Sequence, residues 1–415
     1  MDPLNITMEA KVHIVSKLDS SKHTTVSANS SQLPPLEPGN VRVKPRLVSL
    51  TNNNITYASL GTLASWWDAF PVPTFLPSPH DDSSKYGIVP VWGYAEVVSS
   101  RIENVTESTI IYGFWPSSTL PVDLQLVPTE PTGHYVDTTP HRQTMWSHYH
   151  RYTIAPENFD LSSPTLAAQT VFLPLFGCAH ALNAYVLGTP SAHPSPRTNP
   201  HEPWDHADLS SAVIISISAS GKTARAFNDA VLNTRAPGTG PQALLAITSD
   251  PSALTFPVAQ NSPIETRILS YSQTAQVSSH LPASTTKVIL IDFGGRGDSL
   301  TTLLSHLPPN LETVIIGVGT EPSPSASMEE RLARMAKVPQ RRQMNTSEVQ
   351  EVLVETLGAE KYFRSVQEAW EGFCERGGCE GVEIEIGEGV QALEVGWKRL
   401  CRGEAGKLGG LAFVL

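Results

Sequence analysis

Short apolar runs in the second half of the chain constrain the fold more than any other feature. Such runs span residues 212–216, 243–247, 288–293 and 313–317, and helical or polar segments separate them. Strands that are apolar along their whole length are buried on both faces, as in a parallel sheet covered by helices. The sequence therefore predicts an α/β fold, with a doubly wound parallel sheet built from residues 171–344.

The first part of the chain has a different pattern. Between residues 37 and 170, short β-prone runs alternate with clusters of Pro, Gly and Asp, which is typical of a compact, mainly β domain. Residues 1–36 are rich in Ser, Thr and Asn, and we predict an extension there with one strand at 11–15. The last segment, 345–415, is more charged and helical and ends in a strand.

Composition excludes some classes of protein. The 415 residues include 29 Lys and Arg against 40 Asp and Glu, a net charge of −11 that disfavours nucleic acid as a partner. The four cysteines are too few and too dispersed for a disulfide framework, which indicates a reducing compartment. No secretory signal is visible, and no apolar run reaches the roughly 18–20 residues of a membrane span. We expect a cytoplasmic protein without a membrane segment.

The segment 214–224, Ile-Ile-Ser-Ile-Ser-Ala-Ser-Gly-Lys-Thr-Ala, is a strand, a small-residue turn and a helix start. Backbone N–H groups and the helix dipole converge on an anion at such a point, where dinucleotide-binding folds hold a pyrophosphate. In the glycine-rich frame of those folds, a serine replaces the first glycine. The predicted cofactor-binding residues of this segment are Ser218, Ser220, Gly221, Lys222 and Thr223.

Two other interpretations of the same segment stay open. Ser216 and the run Gly221-Lys222-Thr223 resemble a P-loop, and Asp292, at the end of an apolar strand, could then hold magnesium in an ATPase. A strand, turn and helix with a purely structural role is the second alternative, because lone glycine patterns are weak signals.

Residues beyond the turn bear on the choice of cofactor. The second strand of the sheet is followed by Ser249 and Asp250, where hydroxyls with a basic residue favour a 2′-phosphate and a carboxylate favours a ribose hydroxyl. Lys222 favours NADPH over NADH. Gly317 and Gly319, after the last strand, are predicted to let the backbone approach the nicotinamide ribose.

The order of segments resembles the medium-chain dehydrogenase/reductase superfamily: a β-rich part, a helix at 173–187, a nucleotide fold, and a return to the first part. The resemblance rests on Ser218–Gly221 and on the closing helix and turn from Gly389 onward. It is narrower for a divergent offshoot of the quinone-reductase and enoyl-reductase branch, carried by residues 51–58, 90–96, 111–114, 137–142, 218–224 and 291–295. It implies a GroES-like catalytic domain (37–170 and 345–415) and a Rossmann domain (171–344).

Metal ligands of the superfamily are missing from this sequence. Its zinc-dependent members carry a Gly-His-Glu motif, whereas the comparable stretch here is 92–96, Trp-Gly-Tyr-Ala-Glu. His148 with His150, and Cys374 with Cys379, each supply only half a metal site. We therefore predict a protein without a catalytic metal.

Hydride addition to a polarised double bond needs a proton or hydrogen-bond donor near the substrate. Tyr57 could donate the proton, with Asn54 or Thr56 fixing a carbonyl, although a tyrosine packed at a strand end fits the sequence equally well. His141 and Arg142 could hold an anionic or phenolic substrate, and a salt bridge to Asp137 is the alternative for them. Among many aromatic residues between 66 and 146, Trp92 and Trp146 are predicted to line an apolar substrate pocket.

These features lead to one principal hypothesis. It is a zinc-independent, NADPH-linked reductase of an apolar carbonyl or enoyl substrate, of polyketide type and hence from secondary metabolism; a homodimer is compatible with it. The alternative is a redox-inactive member of the same fold that serves as a binding module, or as a lyase or cyclase on a polyketide-like ligand.

Overall fold

The computed structural model describes residues 9–155, 160, 163–189, 191–196, 202–256, 262–319, 321, 330, 333, 336–404 and 409–415. The described residues form two compact units. The β-rich unit comprises residues up to 171 together with 383–415, and the parallel-sheet unit comprises 172–321 together with 330–382.

A small three-stranded sheet opens the β-rich unit. Its order is β2-β1-β4, and its strands are β1 (Glu9–Ser16), β2 (His23–Asn29) and β4 (Tyr86–Gly87). Val12, Ile14 and Val15 of β1 are at most 1% exposed, so this strand is part of the core. Contrary to the predicted extension, residues 9–29 therefore belong to the β-rich unit, because β1 lies between β2 and β4 and buries consecutive side chains, on both of its faces.

A nine-stranded sheet forms the rest of the β-rich unit. Its order is β17-β18-β3-β5-β6-β10-β9-β8, and β7 pairs with β3 beside this path. All pairs are antiparallel except β17 with β18, which run parallel. The strands are β3 (Val41–Leu50), β5 (Pro90–Ser100), β6 (Ile110–Pro116), β7 (Val122–Leu124), β8 (Leu126–Thr129), β9 (His134–Asp137), β10 (Arg151–Ile154), β17 (Ile384–Glu388) and β18 (Gly410–Val414).

Two α-helices of this unit follow strands of the nine-stranded sheet. Helix α1 (Asn52–Ser59) follows β3 directly, and Thr51 and Asn54 form a reciprocal capping box at its start. Helix α7 (Gly389–Cys401) makes the crossover between the parallel strands β17 and β18. The 3-10 helix Pro140–Arg142 carries His141 and Arg142, Trp146 directly precedes the 3-10 helix Ser147–His150, and Trp92 lies on β5. A further 3-10 helix spans Trp66–Asp68.

Helix α2 (Pro164–Ala181) continues as a π-helical turn, Leu182–Val186. It starts earlier than the predicted 173 and contains Pro174, which cannot donate to the carbonyl of Thr170. The Ser49 hydroxyl donates to that carbonyl instead, at 2.9 Å, which explains how the helix continues through the proline. Among the described residues, only Pro164–Val186 is long and apolar enough to cross a membrane, and half of its apolar stretch is buried in the protein, as in the core helices of many soluble proteins.

The parallel-sheet unit contains a six-stranded sheet with the order β13-β12-β11-β14-β15-β16, all parallel. Numbered from its first strand, this order is 3-2-1-4-5-6, the arrangement of Rossmann folds. Ligands of such sheets bind where the order reverses, here at the carboxyl ends of β11 and β14. The strands are β11 (Ala212–Ile217), β12 (Ala243–Thr248), β13 (Glu265–Ser270), β14 (Lys287–Asp292), β15 (Glu312–Gly317) and β16 (Arg341–Gln343).

Helices cover this sheet: α3 (Lys222–Asn233), α4 (Ser299–Ser305), α5 (Thr346–Leu357), α6 (Ala359–Glu375) and a 3-10 helix, Tyr271–His280. The sequence predicts that residues 345–415 belong to the β-rich domain, but α5 and α6 lie in the parallel-sheet unit. The apolar stripe of α6 explains this, because Trp370 and Phe373 pack on Phe176 of α2 with ring centroids 5.3 and 5.4 Å apart.

Candidate functional site

The turn after β11 keeps the backbone conformation that a glycine would provide. Ser218 has a φ of 60°, in the left-handed region that few residues other than glycine adopt. The Gly221 N–H donates to the Ser218 carbonyl at 2.9 Å and closes the turn, while the Ala219 N–H donates to Ile247 of the next strand at 3.0 Å. The serine has therefore replaced glycine in sequence without changing the path of the chain.

The side chain of Ser218 lies where the strand order reverses, and its hydroxyl contacts the segments that follow β13 and β14. It donates to the carbonyl of Gly294, after β14, at 2.8 Å, and it lies 2.9 Å from the hydroxyl of Tyr271, after β13. The side chain thus fills part of the crevice that a glycine would leave open. Sequence reasoning missed Tyr271; the signal was available, since the carboxyl ends of neighbouring parallel strands meet at one sheet edge.

Helix α3 starts at Lys222, and Gly221 occupies its N-cap without a capping side chain. The first-turn amides of any α-helix have no acceptor within the helix, so they can bind an anion. Burial lowers the pKa of the Lys222 ammonium group to about 8. Thr223 and Lys222 are half-buried, and the Ser220 hydroxyl accepts from the Thr248 hydroxyl at 3.1 Å. Ser249, the next residue, is exposed at the end of β12.

Asp292, at the end of β14, is engaged by its own protein. Its carboxylate accepts from the N–H groups of Gly294 and Gly295 at 3.0 and 2.7 Å, and from Arg341 Nε at 3.0 Å. A carboxylate held by two amides and a guanidinium is poorly placed to bind magnesium, which the P-loop interpretation required. Together with the Rossmann strand order, this geometry favours the dinucleotide interpretation of the turn.

Arg341, which sequence reasoning also missed, occupies the space beside the two glycines after β15. A Cβ atom on Gly317 would lie 1.8 Å from Cζ of Arg341, and Arg341 Nη2 donates to the Gly319 carbonyl at 2.8 Å. A Cβ on Gly319 would lie 2.6 Å from the Phe293 carbonyl oxygen. Both glycines thus make room for the protein's own atoms, and the predicted approach of Gly317 to a nicotinamide ribose finds no open space there.

In the β-rich unit, Tyr57 is buried on helix α1 rather than packed at a strand end. Its hydroxyl accepts from Asn53 Nδ2 at 2.7 Å and from Trp92 Nε1 at 3.0 Å. Burial raises the pKa of this phenol far above its usual value, so it stays protonated at neutral pH.

The two neighbours predicted to fix a substrate carbonyl differ in their surroundings. Asn54 is buried, and its side-chain oxygen accepts from the Thr51 N–H at 2.7 Å while Nδ2 donates to the Pro90 carbonyl at 2.9 Å. These bonds cap the helix and tie it to β5, so Asn54 has a structural role rather than the predicted catalytic one. Thr56 is half-buried on the same helix.

Tyr57 lies within a set of mutually contacting aromatic side chains, which we call the Tyr57 cluster. Its ring centroid is 4.7 Å from that of Trp66 and 5.9 Å from that of Tyr149, and Trp66 in turn lies 6.1 Å from Trp146. The structure thus brings the predicted residues Tyr57, Trp92 and Trp146 together. The members of the cluster are Tyr57, Trp66, Trp92, Phe114, Trp146 and Tyr149.

Arg142 is fully buried, and its Nη1 lies 2.9 Å from a carboxylate oxygen of Asp137, which is buried as well. The guanidinium also packs over the ring of Phe70, 4.8 Å from its centroid. This ion pair is the alternative that the sequence left open, and it leaves the guanidinium no exposed surface for a substrate. The neighbouring His141 is exposed, and desolvation is the main cause that lowers its pKa, with the Arg142 charge second.

No group of three or more His, Cys, Asp or Glu side chains suited to a metal occurs in the described part of the chain. Of the predicted half-site, His150 Nε2 lies 2.9 Å from the Arg142 carbonyl, whereas the ring of His148 packs 5.2 Å from that of Trp92.

Comparison with known proteins agrees with this fold. A family model described as "Protein of unknown function (DUF2855)" matches residues 48–406. No curated protein matches the chain. Among solved structures, CurA from Vibrio vulnificus in complex with NADPH is 10% identical, covers 97% of this chain and 98% of its own, and has a TM-score of 0.53.

Two further solved structures are similar over nearly the whole chain. The CurK enoyl reductase is 13% identical over 98% of this chain and 99% of that one, with a TM-score of 0.51. The Etr1p/NADP/crotonyl-CoA complex is 9% identical over 98% and 100%, with a TM-score of 0.52. These matches confirm the predicted fold, a GroES-like β-rich domain with a Rossmann domain.

Proposed function

This chain belongs to the DUF2855 family, and we propose that it is an NADPH-linked reductase that acts on an apolar enoyl or carbonyl substrate without zinc. The observation that carries the proposal is the turn after β11. Ser218 keeps the left-handed backbone of a glycine there, directly before the uncapped start of α3. A backbone that retains this strained conformation in the absence of glycine preserves the geometry that a diphosphate requires.

The residues of the turn fit the phosphates of such a cofactor. The first-turn amides of α3 would hold the diphosphate, while Lys222 and the exposed Ser249 would hold the 2′-phosphate. When bound, the reduced nicotinamide supplies a hydride. The chain's own task is then to exclude water, orient the substrate and provide a proton.

The Tyr57 cluster suits the second half of that task. Its aromatic faces suit a flat, apolar substrate of polyketide type, and the neutral phenol of Tyr57 is its candidate proton donor. The neighbours in fold support this class of substrate, since one is an enoyl reductase and another is a complex with NADP and crotonyl-CoA.

Nicotinamide fluorescence during titration of the folded protein with NADPH and with NADH tests the proposal directly. We expect saturable binding with a preference for NADPH. Turnover is then followed as loss of NADPH absorbance with crotonyl-CoA and with larger aromatic enones, with and without a chelator. Activity that is unchanged by the chelator supports zinc independence, whereas loss of activity with the chelator contradicts it.

One observation favours a second candidate, a redox-inactive binding protein of the same fold. The Ser218 hydroxyl and Arg341 fill space that a dinucleotide occupies in a Rossmann crevice. This candidate predicts that the folded protein binds neither nucleotide, and saturable NADPH binding would exclude it.

A further inference from the structure

Two cysteines of the parallel-sheet unit lie side by side. Cys374 lies in the last turn of helix α6 and is exposed, and Cys379, five residues later, is half-buried and near enough that each thiol affects the pKa of the other. The other cysteines have different partners: Cys178 contacts Thr346, and the Cys401 thiol donates to the Ser20 carbonyl at 3.6 Å.

The backbone explains how the two sulfurs meet. The Gly377 N–H donates to the Cys374 carbonyl and the Gly378 N–H to the Phe373 carbonyl, both at 2.9 Å, and Gly377 has a φ of 74°. This closure of the helix end turns the chain back on itself. A Cβ on Gly378 would lie 2.3 Å from the Phe373 ring, so glycine is required at that position.

Two arginine contacts hold the turn in place against α3. Arg376 Nη2 and Nε donate to the two carboxylate oxygens of Asp229 at 2.7 and 3.3 Å, and Asp229 is buried. Arg225 of α3 donates to the Glu380 carbonyl. The turn between the two cysteines is therefore anchored on both sides, which keeps the sulfurs near each other.

We propose that Cys374 and Cys379 form a redox modification site, at which a small disulfide such as oxidised glutathione converts the dithiol into an intramolecular disulfide. The closed turn between the two cysteines and its anchoring by Arg376 and Arg225 carry this proposal, which is independent of the reductase activity. In a reducing compartment, such a disulfide is reversible rather than structural.

The exchange is balanced in atoms and electrons. The Cys374 thiolate attacks one sulfur of the small disulfide, forms a mixed disulfide and releases one thiolate. Cys379 then loses its proton and attacks the Cys374 sulfur, which forms the internal disulfide and expels the second thiolate. Two electrons pass to the small disulfide, and the two protons from the cysteines complete the two thiols that are released.

The order of attack follows from the surroundings of each thiol. Burial raises the pKa of Cys374, Cys379 opposes this shift and Glu371 adds to it, and the thiol is exposed to a small disulfide. Burial and the neighbouring Cys374 raise the pKa of Cys379 to about 12, while Arg225 opposes this shift. Cys374 therefore attacks first, and the exchange is faster at mildly alkaline pH.

The test uses the full-length, reduced protein, incubated with oxidised glutathione and a chelator, then alkylated and mapped without reduction. We expect free thiols to fall from four to two, with the Cys374 and Cys379 peptides linked and the mass lower by two hydrogens. Cys379→Ser should stop at a glutathione adduct on Cys374. Cys374→Ser, which has three thiols, should keep all three free. Cys401→Ser, the matched control, should still form the 374–379 link.

Three results would overturn the proposal: four free thiols after incubation, a stable glutathione adduct on wild-type Cys374, or a disulfide between two copies of the chain. Peptide mapping of the wild type decides among these even where a variant folds poorly. Arg376→Ala, which loosens the turn, should slow formation of the link several-fold and leave glutathionylation of Cys374 unchanged.

Discussion

The two units build their candidate sites in different ways. In the parallel-sheet unit, the site is made by the backbone: the left-handed turn at Ser218, the ends of β11 and β14, and the start of α3. In the β-rich unit, the site is made by side chains, and the hydroxyl of Tyr57 already accepts two hydrogen bonds from its neighbours.

This difference shows which half of such a protein can diverge. A site made by the backbone survives substitution as long as the new residue tolerates the same dihedral angles, as Ser218 does. A site made by side chains depends on the identity of each residue. In the Tyr57 cluster, the same ring contacts that would shape a substrate site also pack the core. The turn at Ser218 therefore tolerates a change of side chain more readily than the Tyr57 cluster does.

The largest effect is expected at the buried ion pair of the β-rich unit. Arg142→Met leaves the Asp137 carboxylate buried without its cation, so we expect the free energy of unfolding to fall by about 3–5 kcal/mol. Urea denaturation measures it. Arg42→Met, at the half-exposed pair with Asp123, is the control and should cost about 1 kcal/mol or less. Equal losses would contradict the structural role of Arg142.

The stability of the β-rich unit is also expected to depend on pH, through the buried His13. Burial, and secondarily His23, lower the pKa of His13 from 6.5 to about 3. Because only the unfolded chain binds this proton between those values, stability is complete above about pH 6.5 and falls by about 1.4 kcal/mol per unit as the pH drops towards 3. His13→Leu should reduce the slope of the unfolding free energy against pH by one proton, as measured by urea denaturation across this pH range; an unchanged slope would contradict a buried, neutral His13.

Tyr57→Phe tests whether the side-chain site is catalytic or only packed. Two buried donors, on Asn53 and Trp92, lose their acceptor, and we expect a loss of about 1–3 kcal/mol of stability in either case. If the phenol also supplies the proton, kcat with NADPH and an enoyl substrate falls by about 100-fold or more. Tyr135→Phe, whose hydroxyl makes one long bond of 3.5 Å, is the control. A stable variant with unchanged kcat would remove Tyr57 from the mechanism.

Lys222→Ala tests the backbone site through the basic side chain at the start of α3. We expect the Kd for NADPH to rise about tenfold, which is about 1.4 kcal/mol, with little change for NADH. Because the pKa of Lys222 is about 8, NADPH affinity of the wild type should weaken as the pH rises through that value. Lys337→Ala, an exposed lysine of the same unit, serves as the control. Equal weakening of both nucleotides would place Lys222 away from the 2′-phosphate.

Ser218→Gly is the smallest change and the sharpest test between the two proposed functions. The glycine relieves about 1–2 kcal/mol of backbone strain and forfeits two hydrogen bonds of about 1 kcal/mol each, so stability should change by about 1 kcal/mol or less. Removing the hydroxyl opens the crevice, and NADPH should bind a few-fold more tightly. Ser220→Ala is the control. NADPH binding that appears only in the glycine variant would favour the redox-inactive candidate for the wild type.

The sequence predicts the parallel sheet well because its strands are apolar on both faces, so their pattern depends little on the rest of the fold. For Tyr57, Trp92 and Trp146 the sequence indicates only suitable residue types. It does not predict their contacts, because these join segments that are distant in sequence. Arg341 and Tyr271 were not predicted for a related reason. Arg341 lies on β16, a strand of three residues with a weak apolar pattern, and Tyr271 begins a 3-10 helix. The buried position of β1 depends on its pairing with β2 and β4, which its composition alone does not reveal.

The pairing of Asp292 with Arg341 has an electrostatic consequence for any anion that approaches the sheet edge. An unpaired carboxylate at the end of β14 would repel a diphosphate, and in a medium of low polarity that repulsion would act over several ångströms. The guanidinium 3.0 Å away cancels this field locally. The pair is therefore close to neutral as a unit, and the dipole of α3 together with the Lys222 ammonium group makes the local potential favourable for an anion.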